Sequence, residues 1–342
     1  MKDRIVIAVD IAKNVFEFVK YKNDKAVGKN KRIKRAQFEK MILTMEHCKL
    51  VMESCSGAQH WARMAKVKGH MAVLIHPKLV QGYRQGQKTD ANDALAIYEA
   101  SRRDKLKECV QKTTDQQGLA MMESVRSHYQ ERKKRLSNAM RGHLAEFGII
   151  MPKGYKHLRR QMPRILEDAE NALPMSARIA LNQYWTDWQS ACENVLKFEK
   201  EIMAELRDIP AAKELLKIEG IGPVVTSGLI CVLGDGSAFR RGKEAAAYIG
   251  TSPKQHSSGD KQTIVGISKT TGHKKLRSAL IQGARAIIMH LKTKKKPLSE
   301  KERWLLQLME RQGENRAAVA LANKNVRTAW ALLAHQRQYI AA

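Results

Sequence analysis

Four carboxylates in the first hundred residues, Asp10, Glu53, Asp90 and Asp93, have the type and spacing that metal-assisted phosphoryl chemistry needs. Asp10 closes an apolar run that starts at Ile5, and Glu53 stands near the end of a second run, Lys49 to Cys55. Asp90 and Asp93 open a helix-like stretch, TDANDALAIYEA, where three-residue spacing puts both on one face. The chain carries 62 Lys plus Arg against 34 Asp plus Glu, a net charge of +28, so carboxylates at strand ends are out of keeping with the rest. Burying them together is costly unless divalent cations neutralise them. Hard oxygen ligands suit Mg²⁺, and two such ions about 4 Å apart stabilise both oxygens of a phosphodiester displacement. The pattern is that of a nuclease-type site holding two Mg²⁺.

The elements that must position these residues follow from the apolar patterning. Residues 1–112 read as α/β, with strands at Ile5–Val9, Val15–Lys20, Lys25–Ile33, Leu50–Glu53 and Met71–Ile75, and helices over Ala36–Cys48 and Gly57–Val67. Three consecutive strands followed by alternating helix and strand is the order of an RNase H-like fold. There the first and fourth strands lie side by side, which would bring Asp10 to Glu53. Residues 113–210 read as helical. One stripe runs from Leu119 through Tyr129 to Leu144, and a second from Leu181 through Trp185, Trp188 and Val195 to Ile209. Both suit long helices paired as a coiled coil, within the chain or between subunits. Trp185 and Trp188 belong to core packing on this reading rather than to base stacking. The stretch Met151–Pro174, with three prolines and many cations, is expected to make the turn, and Lys133–Arg135 could touch a phosphate backbone.

Residues 211–342 change character again. In LLKIEGIGPVVTSGLICVLG, Gly220 and Gly222 mark a tight turn between two apolar helices, a helix-hairpin-helix pattern whose amides can hold a DNA phosphate; a turn used only for packing is the alternative. Then Ala245–Ala286 gathers small residues, cations and two adjacent serines, Ser257 and Ser258, into a stretch that reads as a basic loop running into a helix. A serine there needs an activator to act as a nucleophile, and His256 is within two residues of both.

The charge points to polyanions, most simply nucleic acid. The cations are spread along the whole chain, no apolar stretch reaches the ~18 residues of a membrane span, and the N-terminal apolar run is not a signal peptide. Five cysteines without a CxxC pair argue against a zinc ribbon or disulfide framework and suit a reducing cytoplasm.

VDIAKNVFEFV, ESCSGAQHWA, KTDANDALAI, IEGIGPVVTSGLI and YIGTSPKQHSSGDKQ, in that order, resemble the DEDD transposases of insertion-sequence family 110, with wording closest to its 1111 subgroup. The resemblance covers nearly the whole chain. It implies a RuvC-like domain (1–112), a coiled-coil middle (113–210) and a C-terminal transposase domain (211–342). It implies a bacterial or archaeal element, excised and inserted by RNA-guided recombination through a non-coding bridge (seeker) RNA that pairs with donor and target double-stranded DNA. It puts the acidic tetrad on Asp10, Glu53, Asp90 and Asp93, the metal ligands, and the serine nucleophile on Ser258, before Gly259 and after Pro253, with Ser257 adjacent. It further implies a phosphoserine intermediate and a homo-oligomer, a tetramer built from dimers, for which the helical stripes would supply a surface. Lys254, Lys261, Lys269, Lys274, Lys275 and Arg277 are then the candidate backbone contacts around the serine, with Gly220 and Gly222 at the hairpin turn. Two other readings stand beside this one: a RuvC-like Holliday-junction resolvase that hydrolyses DNA with water, and a non-catalytic nucleic-acid-binding protein.

Overall fold

The computed structural model describes residues 5–87, 89–103, 106–268 except 260, 272–294 and 299–340, with the backbone alone at 261–262. The chain divides into two compact units, residues 1–114 and 115–342. The first is α/β and the second almost entirely helical.

In the first unit, β1 (Ile5–Ile11) lies between an antiparallel β2 (Val15–Lys22) and a parallel β5 (Lys49–Glu53), and β6 (Met71–Ile75) continues the parallel side. The expected third strand is two short ones, β3 (Lys25–Ala26) and β4 (Lys31–Lys34), each paired to β2. Gly28 between them has φ +80°, which breaks the extended run that residues 25–33 suggested. The β1–β5 adjacency is the one that the RNase H-like reading requires, because β5 is the fourth strand read from the sequence.

Ile5 to Val9 are all buried, as expected of a strand covered on both faces. Odd-numbered Ile5, Ile7 and Val9 join Phe16, Phe38, Leu50, Met52 and Trp61 under α1 (Arg35–Thr44) and α2 (Ala58–Val67). Even-numbered Val6 and Ala8 join Val51, Val73, Ile97 and Tyr98 on the other face. That second face is covered by α3 (Pro77–Gln81) and α4 (Asp90–Ser101), α4 packing on β1 and β2.

The second unit begins with a helical hairpin. α5 (Thr114–Glu146) and α7 (Met175–Arg207), 33 residues each, run antiparallel. Arg126 pairs with Glu199 at 3.1 Å, Arg132 pairs with Asp187 at 3.1 Å, and Tyr129 stacks on Phe198 between them. The stripes are spent within the chain. Leu119, Met140, Leu144, Leu181, Trp185, Trp188, Val195, Ile202 and Leu206 are all buried, so they do not form the open dimerisation surface expected of them. Trp185 and Trp188 stack at 5.1 Å inside this core, as packing residues.

The stretch expected as a turn, Met151–Pro174, instead folds as α6 (Tyr155–Glu167), which buries Leu158 and Met162 against the hairpin and turns Lys156, Arg159, Arg160 and Arg164 to solvent. Its amphipathic spacing outweighs Pro163. Arg178 of α7 donates to the carbonyls of Leu166 (2.9 Å) and Asp168 (2.6 Å), which satisfies the helix end.

The remaining elements, α8 (Pro210–Leu216), α9 (Pro223–Leu233), α10 (Gly242–Ile249), α11 (Lys274–Thr293), α12 (Glu300–Gln312) and α13 (Glu314–His335), share one core that also takes in Leu119, Ile202 and Leu206 from the base of the hairpin. Between α10 and α11 stands a two-stranded antiparallel ribbon, β7 (Pro253–Ser258) and β8 (Lys261–Ile267). The serine segment is therefore a β-hairpin rather than an irregular loop. Gly259, at φ +55°, makes its turn, and a period of two was hidden by the small, polar composition. No helix among the described residues is long and apolar enough to cross a membrane.

Candidate active site

Strand register brings Asp10 to Glu53. β1 and β5 pair in parallel up to Val9 opposite Met52, so the next residue on each strand, Asp10 and Glu53, stands at the same edge. Parity decides the face: Asp10 follows Val6 and Ala8, and Glu53 follows Val51, toward the layer that holds α4. Asp90 and Asp93 occupy the first turn of α4, where the helix dipole favours carboxylates. Thr89 caps this turn by accepting from the Asn92 amide at 3.3 Å. Asn30 donates to the Ala91 carbonyl at 3.2 Å and Asn92 to the Gln87 carbonyl at 2.8 Å, so the helix start is tied to its surroundings.

Asp10 feels the other three carboxylates. Burial, and then Asp93, Asp90, Glu53 and Glu17 in that order, push the Asp10 carboxyl up to about 6. The Cys55 thiol is raised by burial and by the same Glu53 and Asp10, which places it beside them. Glu17 faces Asp10 directly across the β1–β2 register. Asp93 forms an ion pair with Arg84, the two side chains 14% and 23% exposed.

This donor set suits a hard divalent cation: it is all oxygen, and its mutual repulsion is the kind that a dication relieves. As they stand, no three His, Cys, Asp or Glu side chains among the described residues draw together closely enough to hold a metal ion. Asp93, turned onto Arg84, is one of the four that would have to move.

In the second unit every residue of β7 is exposed. Alternation puts Lys254, His256 and Ser258 on one face of the ribbon and Gln255 and Ser257 on the other. Ser258 pairs with Lys261 and His256 with Thr263, so the imidazole shares its face with Ser258 and not with Ser257. The tetrad and the serines thus belong to different compact units.

Residues 7–149 match the DEDD transposase family of IS110, and residues 212–299 match the transposase family IS116/IS110/IS902. The chain is 36% identical over 339 residues to the transposase for insertion sequence element IS1111A of Coxiella burnetii, covering 99% of this chain and 92% of that protein. It is 35% identical to a probable family 20 transposase of Pseudomonas aeruginosa, covering 97% and 98%. A shorter likeness, 43% over 76 residues, links it to the pilin gene-inverting protein of Moraxella lacunata, covering 21% of this chain and 23% of that protein. The chain belongs to the IS110 family of DEDD transposases. As a transposase it acts on DNA.

Within this transposase the expected backbone contacts divide. Lys254, Lys274 and Lys275 are exposed, at the root of the ribbon and at the start of α11. Arg277 is not on that surface: at 5% exposure it lies on the inward side of α11, beside Leu276 and Leu280, where helix periodicity carries it. Lys269 and the Lys261 side chain lie outside the described residues. At the expected hairpin turn, Gly220 has φ +81° and its carbonyl backs onto Gly283 of α11 so closely that a Cβ on Gly283 would come within 2.0 Å of it. Gly220 is thus packed against α11, whereas Gly222 is exposed at the start of α9 with open space around it.

Sequence reading missed Arg84, Glu17 and Cys55. The alternation of β2 could have found Glu17. The Arg84 contact depends on the path of the loop after α3 and left no periodic signal.

Proposed function

We propose that this transposase cuts and rejoins DNA at a divalent-metal site held by Asp10, Glu53, Asp90 and Asp93, with Ser258 as nucleophile. The observation that carries the proposal is the meeting of two strand ends and one helix start at Asp10, whose carboxyl the other three raise together with burial. When bound, Mg²⁺ supplies charge neutralisation of the scissile phosphate. The chain's own part is positional: the β1–β5 register fixes Asp10 beside Glu53, and the capped start of α4 presents Asp90 and Asp93 to them.

Ser258 attacks phosphorus, forming an O–P bond while the bond to the leaving deoxyribose oxygen breaks and that oxygen departs as a hydroxyl, taking a proton from solvent. The serine proton passes to a base, for which His256 on the same ribbon face is the nearest imidazole in sequence. The phosphodiester is conserved as phosphoserine, so rejoining needs no added energy source. A gene-inverting relative supports rejoining over simple hydrolysis. The resemblance extends the proposal to a bridge RNA that selects donor and target by base pairing, and to a dimer of dimers in which one copy's serine completes another copy's tetrad. The net charge of +28 supports such a load of nucleic acid.

The decisive experiment is strand exchange with the RNA that co-purifies when the gene is expressed with its flanks. Wild-type protein and Ser257→Ala should give an adduct of protein and DNA that survives denaturant, while Ser258→Ala and Asp10→Asn should lose it by at least about 10³-fold. Cleavage by Ser258→Ala at the wild-type rate, with free DNA ends, would instead establish water as the nucleophile and a junction resolvase as the function. One enriched, structured RNA mapping beside the gene is expected from sequencing; heterogeneous RNA would remove the guide from the proposal.

A further inference from the structure

α13 has two working faces. Ala317, Ala318, Leu321, Ala322, Asn325, Val326 and Ala329 lie in the core of the second unit. The opposite face, stepping three or four residues at a time through Arg316, Ala320, Lys324, Arg327 and Ala331, lines a cavity of about 1340 Å³. Its other walls are α12, through Trp304 and Arg311, and the β7–β8 ribbon, through Pro253, Ile264 and Gly266. The ribbon wall is tied at its root, where the Asn323 amide donates to the Thr251 hydroxyl (3.5 Å) and the Ser252 hydroxyl (3.4 Å).

Three properties of this cavity narrow its ligand. It exceeds the ~300–1,000 Å³ of ordinary small-molecule sites. Four cations line it, Arg311, Arg316, Lys324 and Arg327, and among the described residues no Asp or Glu does. Trp304 and Ile264 supply apolar surface between the cations, and Lys324 Nζ lies 4.6 Å from the centre of the Trp304 ring, so charge and aromatic face meet at one point. A small anion would use the cations and waste the apolar surface, and a duplex keeps its base faces stacked away from an apolar wall and shows only base edges in its grooves. A single strand presents both phosphates and apolar base faces.

We infer that this groove binds a single strand of DNA, with phosphates on Arg316, Lys324 and Arg327 and bases against Trp304 and Ile264. Ile264 pairs with Gln255 across the ribbon, so the wall facing the groove is the Gln255 and Ser257 face. The strand would therefore lie along the ribbon and reach its serine-bearing tip from the side opposite Ser258. The inference rests on the DNA chemistry of the family and is independent of which group is the nucleophile.

The test is equilibrium binding by the full chain, without Mg²⁺, to a labelled oligodeoxythymidine, its duplex with oligodeoxyadenosine, and the matching single-stranded RNA. In Arg316→Gln/Lys324→Gln/Arg327→Gln, all exposed positions, affinity for the single strand should fall at least about tenfold. The slope of log K against log salt should become shallower by about two, since each single-strand phosphate contact contributes roughly 0.7. Duplex affinity should change less than twofold. Ile264→Ser should weaken single-strand binding about threefold with the slope unchanged, because it removes an apolar contact and no charge.

An equal loss on the duplex, or no loss on the single strand, would overturn the groove as a single-strand site. Tighter binding of the RNA, lost in the same variants, would overturn DNA as its ligand. The binding assay contains no Mg²⁺ and reads no cleavage, so a failed cleavage mechanism and a failed groove give different results.

Discussion

In residues 1–114 the candidate catalytic groups sit at the ends of strands covered on both faces and at the start of α4, whereas in residues 115–342 the candidate serines ride on a ribbon whose first strand is exposed throughout. Carboxylates that must share a cation need fixed separations, and rigid strand ends and a capped helix start provide them. A nucleophile that must reach a phosphate and then release it gains from standing clear of the core. The same contrast appears in charge. Asp10 is perturbed by burial and by four other carboxylates, while the serine ribbon and the groove beside it are ringed by cations.

The sharpest way to break this comparison is to substitute one residue on each side of it. Trp61 is fully buried, edge-on to Phe16 at 5.4 Å and to Phe38 at 5.0 Å, under the sheet that carries Asp10 and Glu53. Trp61→Ala should destabilise the first unit by about 3–5 kcal/mol. Ile264 is 77% exposed on the ribbon, and Ile264→Ser should stay within about 0.5 kcal/mol. Denaturant titration of both variants checks this. Equal losses would mean that the ribbon is part of a core and not a free-standing arm.

A smaller effect tests how the tetrad is held. Arg84 neutralises Asp93 in a partly buried pair, so Arg84→Gln leaves one more uncompensated carboxylate near Asp10. The metal-free protein should lose about 1–3 kcal/mol, and added Mg²⁺ should recover more of the thermal midpoint in Arg84→Gln than in the wild type. If Mg²⁺ shifts both proteins equally, Asp93 does not take part in holding the ion.

How much of this was legible depended on whether the signal was local. Asp10 and Glu53 could be brought together from two apolar runs and one rule of strand order, because the sheet fixes neighbours at every residue. The start of α4 carried its own mark, Thr89 followed by Asp90 and Asp93. The ribbon did not: KQHSSGDKQTIVGI is too poor in apolar residues to show alternation, and only Gly259 hinted at a turn. The α6 segment was masked by its prolines. Arg277 looked like its exposed neighbours Lys274 and Lys275 because composition does not say which way a helix face points. The α13 groove needs the ribbon, α12 and α13, spread from Thr251 to Ala331, to come together, and its cations, Arg311 to Arg327, form no cluster in sequence.

The last test uses pH to ask whether the tetrad repels itself as a cation site should. The Asp10 carboxyl ionises near 6 in the folded chain against an ordinary value of 3.8. Between those values the folded state holds more protons than the unfolded one, so the contribution of Asp10 to stability falls as pH rises through that window and stays low above it. Asn at this position cannot ionise. Without metal, Asp10→Asn should therefore match the wild type near pH ~4 and be the more stable protein at pH ~7.5, the gap opening across the window between. Mg²⁺ should reverse the order at the higher pH, because it favours the ionised carboxylate that Asn lacks. Thermal melts of both proteins at several pH values, with and without Mg²⁺, read all of this without any cleavage assay. A gap that is absent at pH ~7.5, or that Mg²⁺ leaves untouched, would mean that Asp10 is an ordinary strand-end carboxylate and that the metal site lies elsewhere.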